Sequence, residues 1–557
     1  MWDPARQRPF ARQAVLGPAD PPPVADLGSV HTTGTQRVGD VGALVWVAEQ
    51  LDLVRLIDQA CAPRVSTGGP TVGEMVLAVA VQRACAPSAK RHLATFLESC
   101  LPRVSCLAAS AFTGQAFHRE AARVSDEQLE RAQIEIARAV VRRFELSTDV
   151  LAFDTTNFDT HIATTTTGDW ARRGHAQSKR SDLRVVGLAA LVSETGHVPL
   201  LAPHLSRERI GSSGAGVLPG CSGSVARRLG RWAAAQPASE SYAGAGGWFV
   251  ERTTGTGSGC RGLLQLDLAA VEPQRVSMGP RAGGAAGAMK PVGGKLGDVR
   301  AARLRAEGGN LNRTLVVVES PELLRGQRRG IAVALRKARE ELRQLEQRAA
   351  GGRIPRQALE DRVNKALQRE HLADFVVATV TERGGKVSLQ WHVDATRRRL
   401  LERTRLGRRV LCTDRHAWST GRIIHAFRGQ WNIEELFRRA KKGGLVPWGP
   451  SHQWADSSLR LHTFATVMGL TLASLARQAL GTPNSALSTM KTLAGIAATM
   501  VQVQTKGRGR RGTVLLAPTI TAEQRKAVRI FELGRWMPAL LSSMDRSESN
   551  PSVGPVA

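Results

Sequence analysis

Two carboxylates and a set of cations are the residues of this chain whose types and spacing suit chemistry. Asp154 closes the apolar run Val150-Leu-Ala-Phe-Asp154, and Glu434 sits within Ile423–Lys442, IIHAFRGQWNIEELFRRAKK. Written as one helix, that segment puts Phe427, Gln430, Glu434, Arg438 and Lys441 on one stripe, at steps of three, four, four and three residues. A second stripe, Ile433, Leu436, Phe437 and Ala440, is apolar and suits packing on a core. Carboxylates converging on a basic cleft suit a pair of Mg²⁺ ions, because hard cations choose oxygen ligands. Two such ions about 4 Å apart activate a water or a 3′-hydroxyl for in-line attack on a phosphodiester. Spacing alone favours a plainer reading, an amphipathic surface helix with a Glu434–Arg438 ion pair, and a lone strand-end Asp is more often a turn former.

Those residues must be positioned by a chain of 557 residues, long enough for two to four domains with their own cores. Lys and Arg number 77 against 48 Asp and Glu, a formal charge of +29. A compact body so charged repels itself unless a polyanion is its partner, and nucleic acid is the first expectation. A membrane is not expected: the best apolar run, His462 to Ala476, is short, is flanked by Arg460 and Arg477, and reads as a core helix. No apolar segment follows the amino terminus, so the expected location is the cytoplasm, with the nucleoid. Seven scattered cysteines, without C-x-x-C, suit buried thiols better than disulfides or zinc ligation.

In chain order, residues 1–37 read as a disordered leader rich in Pro, Gly and Thr. Residues 38–148 read as an all-helical domain suited to DNA, with capping boxes at Thr71–Glu74 and Ser125–Gln128. Strands follow at 150–154, 181–192 and 198–202, the last two joined by the turn Glu194-Thr-Gly-His197. Between Gly211 and Gly294 stand 19 of the chain's 55 glycines, text that cannot bury a core, so 206–295 is expected to be disordered or translated out of frame. A helical hairpin is expected over 328–371, a β insertion around 375–414, and a basic helical segment and tail over 481–557.

In these places the chain resembles the DDE transposases of the insertion-sequence-four superfamily. Asp154 in VLAFDTTNF stands where the family has its first catalytic Asp. RGHAQSKRSDLRVVGLAALVSETGHVPL resembles the following hairpin, through Gly174, His175, Arg180, Asp182 and Leu183. The family's Tyr, Arg, Glu, Lys signature falls on Phe427, Gln430, Glu434 and Lys441, so the Tyr and Arg are replaced while the Glu and Lys stand. The resemblance implies an α/β catalytic core over 149–480 with a ribonuclease H-like mixed sheet, preceded by the all-α amino-terminal domain. It implies Mg²⁺ (or Mn²⁺) held by Asp154, Glu434 and a second acid, with Gln430, Arg438 and Lys441 on DNA. The family's second Asp lies in an apolar-apolar-x-Asp-x-Gly context that 211–294 does not contain. Glu251, after Trp248-Phe-Val250, is the nearest substitute and Asp267 the other. The implied function is a transposase of a bacterial insertion sequence, a homodimer on DNA. The alternative is a catalytically degenerate remnant that binds DNA without cutting it.

Overall fold

The structure, a computed structural model, describes residues 27–61, 68–147, 151–202, 299–413, 416–441 and 444–542 except 163–165, 167, 174–181, 195, 309–310, 429, 450, 452 and 506–510. It also describes the short strands β1 (Trp2–Asp3), β2 (Arg8–Pro9), β8 (Val250–Arg252) and β9 (Lys290–Pro291). Residues 1–215, 223–241 and 429–557 form one compact unit, and residues 216–222 and 242–428 a second.

The first unit opens with strand β3 (Leu27–Arg37) and helices α1 (Gly39–Gln50), α2 (Leu53–Ala60), α3 (Val72–Cys85), α4 (Leu93–Glu98), α5 (Gly114–Ala122) and α6 (Asp126–Arg143). Both expected capping boxes form. In the first, Thr71 Oγ1 accepts from the Glu74 N–H at 3.1 Å and Glu74 accepts from the Thr71 N–H at 2.9 Å. In the second, Ser125 and Gln128 do the same for α6. Such a cap is worth about 1 kcal/mol, enough to fix where a helix starts.

Strands β4 (Leu151–Asp159), β5 (Arg172–Arg173), β6 (Arg184–Ser193) and β7 (Pro199–Leu201) make a small antiparallel sheet around the long β6. The expected turn joins β6 to β7, with the Ser193 N–H donating to the Val198 carbonyl at 3.0 Å. Asp154 does not close its strand, as the sequence suggests. β4 continues five residues further, to Asp159, because Thr155, Thr156 and Phe158 are good strand formers.

Further on in this unit lie α11 (Gln430–Ala440), α12 (Asp456–Leu480), α13 (Ala486–Ala494), β15 (Ala497–Thr505), β16 (Arg511–Leu516) and α14 (Ala522–Ile530). Every residue of α12 from Leu461 to Ala476 is buried. A helix apolar all round must be a core helix or a membrane span, and this one packs against α1, α3 and α5. One hydrophobic core runs through α1 to α6, β4, β6, β7 and α11 to α14.

Two expectations for the chain ends are corrected. Residues 27–37, read as disordered leader, form β3, paired antiparallel with β15; the segment read as helical supplies both β15 and its partner β16. The cause is distance in the chain: β3 is rich in Thr, a strand former, but lacks apolar alternation, and its partner lies near the other end. The basic loop at Lys506, Arg508 and Arg510 lies outside the described residues.

The second unit holds an antiparallel sheet in the order β8, β14 (Arg408–Thr413), β11 (Leu311–Glu319), β10 (Arg300–Gly308), β9. The expected helical hairpin is α7 (Pro321–Ala350) and α8 (Arg356–Leu367). The β pair β12 (Val376–Arg383) and β13 (Lys386–Val393) turns through Gly384 and Gly385, both at positive φ. Helices α9 (Ala395–Thr404) and α10 (Thr420–Arg428) complete it. Apart from β8 and β9, the segment 206–295 lies outside the described residues.

Candidate active site

Strand β4, which carries Asp154, and helix α11, which carries Glu434, pack against each other in the first unit. In register, Asp154 pairs with Ala190, a core residue 1% exposed. Phe158 stacks on Trp448 at 5.1 Å between ring centroids, and the Trp448 indole N–H donates to Thr463 at 3.0 Å. Lys441, just past α11, holds its ammonium 5.9 Å from the Phe158 ring centroid. The side chain of Asp154 lies outside the described residues.

On α11 the apolar stripe is realised: Ile433, Leu436, Phe437 and Ala440 are all buried. That burial fixes the rotation of the helix and leaves Glu434 exposed. Glu434 makes no hydrogen bond or ion pair among the described residues. Its neighbour Glu435 does the opposite. It accepts from Arg438 at 2.6 and 2.7 Å and from Arg439 at 3.0 Å. The Glu434–Arg438 pair expected from spacing does not form. Arg438 is drawn to Glu435, which is already held by the buried Arg439. Burial pushes the Glu435 carboxyl up, but the hydrogen bonds and charges of Arg438 and Arg439 outweigh it and leave the group below its ordinary range.

The turn between β6 and β7 adds a residue that the sequence offered only as part of a turn. Gly196 and His197 both have positive φ, +76° and +55°, and Arg477 of α12 donates to the Gly196 carbonyl at 2.9 Å. Burial, then Arg477 and Arg439, push the His197 imidazole down to about 4. His197 is therefore neutral at pH 7. It lies close enough to the Glu435–Arg439 pair to feel both charges. Nothing in the local pattern marked it, because its neighbours come from α11 and α12.

The other expected site residues are spread further. In the segment 423–442 the described helices are α10, to Arg428, and α11, from Gln430, and Gly429 lies outside the described residues. Phe427 packs with Ile423 and Ile424 in a core of the second unit, with the Arg409 guanidinium 5.9 Å from its ring centroid. Gln430 opens α11, and its side chain lies outside the described residues. Glu251 is on β8 in the second unit, opposite Cys412 of β14, and its side chain too lies outside the described residues. Asp267 lies outside them altogether.

Among the described residues no group of three or more His, Cys, Asp or Glu side chains is placed to share a metal ion. Of the two adjacent acids on α11, Glu434 fits a hard cation, since its oxygens are exposed and unspent while those of Glu435 are taken by two guanidinium groups. Comparison of the chain with models of known protein families and with curated proteins finds no match.

Proposed function

We propose that this chain is a DNA transposase of a bacterial insertion sequence, similar to the insertion-sequence-four superfamily and built on a ribonuclease H-like core. The observation that carries the reading is the packing of β4, with Asp154, against α11, whose exposed Glu434 is unpaired among the described residues. The antiparallel strands β4, β6 and β7, with α11 and α12 against them, are the part of such a core that supports it. The charge of +29 supports a polyanionic partner.

Asp154 and Glu434, both in the first unit, are the residues that would hold Mg²⁺ (or Mn²⁺). Bound there, the metal would supply an activated water or 3′-hydroxyl and stabilisation of the leaving oxygen. The chain's own groups do the rest. Lys441, Arg438 and Gln430 hold DNA phosphates. The Arg439–Glu435 pair and the buried stripe of α11 fix the direction of Glu434, which chemistry of this kind needs to within a fraction of an ångström. A dimer on DNA would place two such sites at two element ends.

The test is incubation of the full chain with Mg²⁺ and DNA carrying the genomic flanks of its own coding sequence. Nicking at the element ends, lost in Asp154→Asn and in Glu434→Gln, is expected. Wild-type protein that binds these ends and leaves them intact overturns the reading.

A further inference from the structure

A second group of polar side chains lies in the first unit, where α3, the turn Lys90–His92, α5 and α12 come together. Lys90 Nζ is 2.7 Å from His462 Nδ1 and 5.0 Å from the centroid of the Phe117 ring. His462 is 2% exposed, and its Nε2 lies 2.8 Å from the Trp448 carbonyl, to which it donates. That fixes Nδ1 as the acceptor for the ammonium. With its amide turned so that both ends are satisfied, Gln453 accepts from Lys90 at 2.8 Å and donates to the Ser458 carbonyl at 2.6 Å. Ser458 Oγ in turn lies 2.7 Å from Nδ1 of the exposed His118.

Arg83 is the second cation. It is 5% exposed and donates to the Gly449 carbonyl at 3.2 Å, while its Nε has no partner. Ser451, 3% exposed and between Gly449 and Gln453, also has a hydroxyl without a partner. Among the described residues no carboxylate bears on either cation. Burial and then Arg83 push the Lys90 ammonium well down, and burial alone brings Arg83 to about 10. Two desolvated cations side by side without a counter-charge are unfavourable in a folded protein unless an anion joins them.

We propose that Lys90 and Arg83 form a phosphate-binding site and that its occupant is a backbone phosphate of a nucleic acid strand. Two of the three Lys90 N–H donors are used, on His462 and Gln453, and the third remains for a phosphate oxygen, with the buried Arg83 adding its charge from behind. The exposed rim favours a strand over a free anion. Trp454, next to Gln453, is 71% exposed and offers a flat aromatic face, and Arg91, next to Lys90, is exposed as well. A free phosphate has no use for an aromatic surface, whereas a strand brings bases that stack on one. The site stands on these contacts; only the source of the phosphate rests on the DNA partner proposed above.

Two measurements on the full chain test it. Inorganic phosphate, compared with chloride at matched ionic strength, is expected to raise the melting temperature of the wild type and not that of Lys90→Gln. Binding of a labelled oligonucleotide is expected to weaken about tenfold in Lys90→Gln, with a log–log salt slope less steep by about one. Trp454→Ala, an exposed change that leaves the fold intact, is expected to weaken oligonucleotide binding while keeping the response to phosphate. A wild-type melting temperature indifferent to phosphate overturns the site, whatever the variants do. A phosphate response with oligonucleotide binding unchanged in both variants overturns the nucleic-acid occupant. A phosphate response in a wild-type protein that binds no DNA overturns that occupant and the transposase reading together, and leaves the phosphate site standing.

Discussion

Arg439 lies buried beside Glu435, its Nε 3.0 Å from the carboxylate, so the acid that this helix spends on structure is the one next to Glu434. Two adjacent glutamates thereby have different surroundings. Glu435 is 10% exposed and doubly paired; Glu434 faces solvent.

That difference sets the cost of losing each arginine. Arg439→Met leaves a mostly buried carboxylate with only the exposed Arg438 as partner, and losing the buried half of the pair costs up to about 3 kcal/mol. Arg438 is 76% exposed, and Arg438→Met is expected to cost less than about 1 kcal/mol. Urea unfolding of the two variants checks the order.

The two glutamates are expected to separate stability from activity. Glu434→Gln removes no hydrogen bond or ion pair among the described residues, so it is expected to leave the unfolding midpoint unchanged while abolishing Mg²⁺-dependent nicking. Glu435→Gln weakens the Arg439 contact and lowers the midpoint, and activity falls only as far as Glu434 loses its direction. Equal effects of both changes on both readouts would refute the assignment.

The half-buried His197 makes stability depend on pH. Its folded value, about 4, lies below the 6.5 of a free imidazole, so on acidification the unfolded chain takes up the proton first. Stability is therefore full above about pH 6.5 and is lost as pH falls from there toward 4. His462 and His118, both held low by burial and then by Lys90, add to the same loss. His197→Asn keeps a residue that tolerates positive φ but does not titrate. It is expected to flatten, without abolishing, the dependence of the urea midpoint between pH 4 and 6.5; Arg477, Arg439, Glu194 and Glu435 remain around it.

Gly469 lets α12 approach α3 closely. A Cβ at this position would sit 2.9 Å from the Ala80 carbonyl oxygen and 3.0 Å from a Val446 methyl. Alanine is the better helix former by about 1 kcal/mol, but forcing apart a packed core costs about 1 to 3 kcal/mol. Gly469→Ala is thus expected to lower the melting temperature by several degrees, and a rise would contradict the packing described.

Local patterns carried much of this fold. The capping boxes at Thr71 and Ser125, the apolar stripe of α11, the α7–α8 hairpin and the β12–β13 turn at Gly384–Gly385 are all set by residues within a few positions of one another. Asp154 and Glu434 were legible as chemistry because residue type and helical spacing are written along the chain. Their chemical neighbours were not. That β3 pairs with β15, that His197 sits beside Arg439 and Arg477, and that Lys90 meets His462 near Arg83, with no counter-charge among the described residues, depend on segments hundreds of residues apart.

The same division explains the helix at Glu434. Sequence periodicity determined which of its faces is apolar, since each side chain's direction follows from 100° per residue. It could not determine which carboxylate would be spent, because Glu434 and Glu435 each have an arginine three or four residues on. Only the tertiary structure decided that: burying Ile433, Leu436 and Phe437 against the core rotates Arg439 inward, where a desolvated guanidinium requires a carboxylate, and Glu435 is the one in reach.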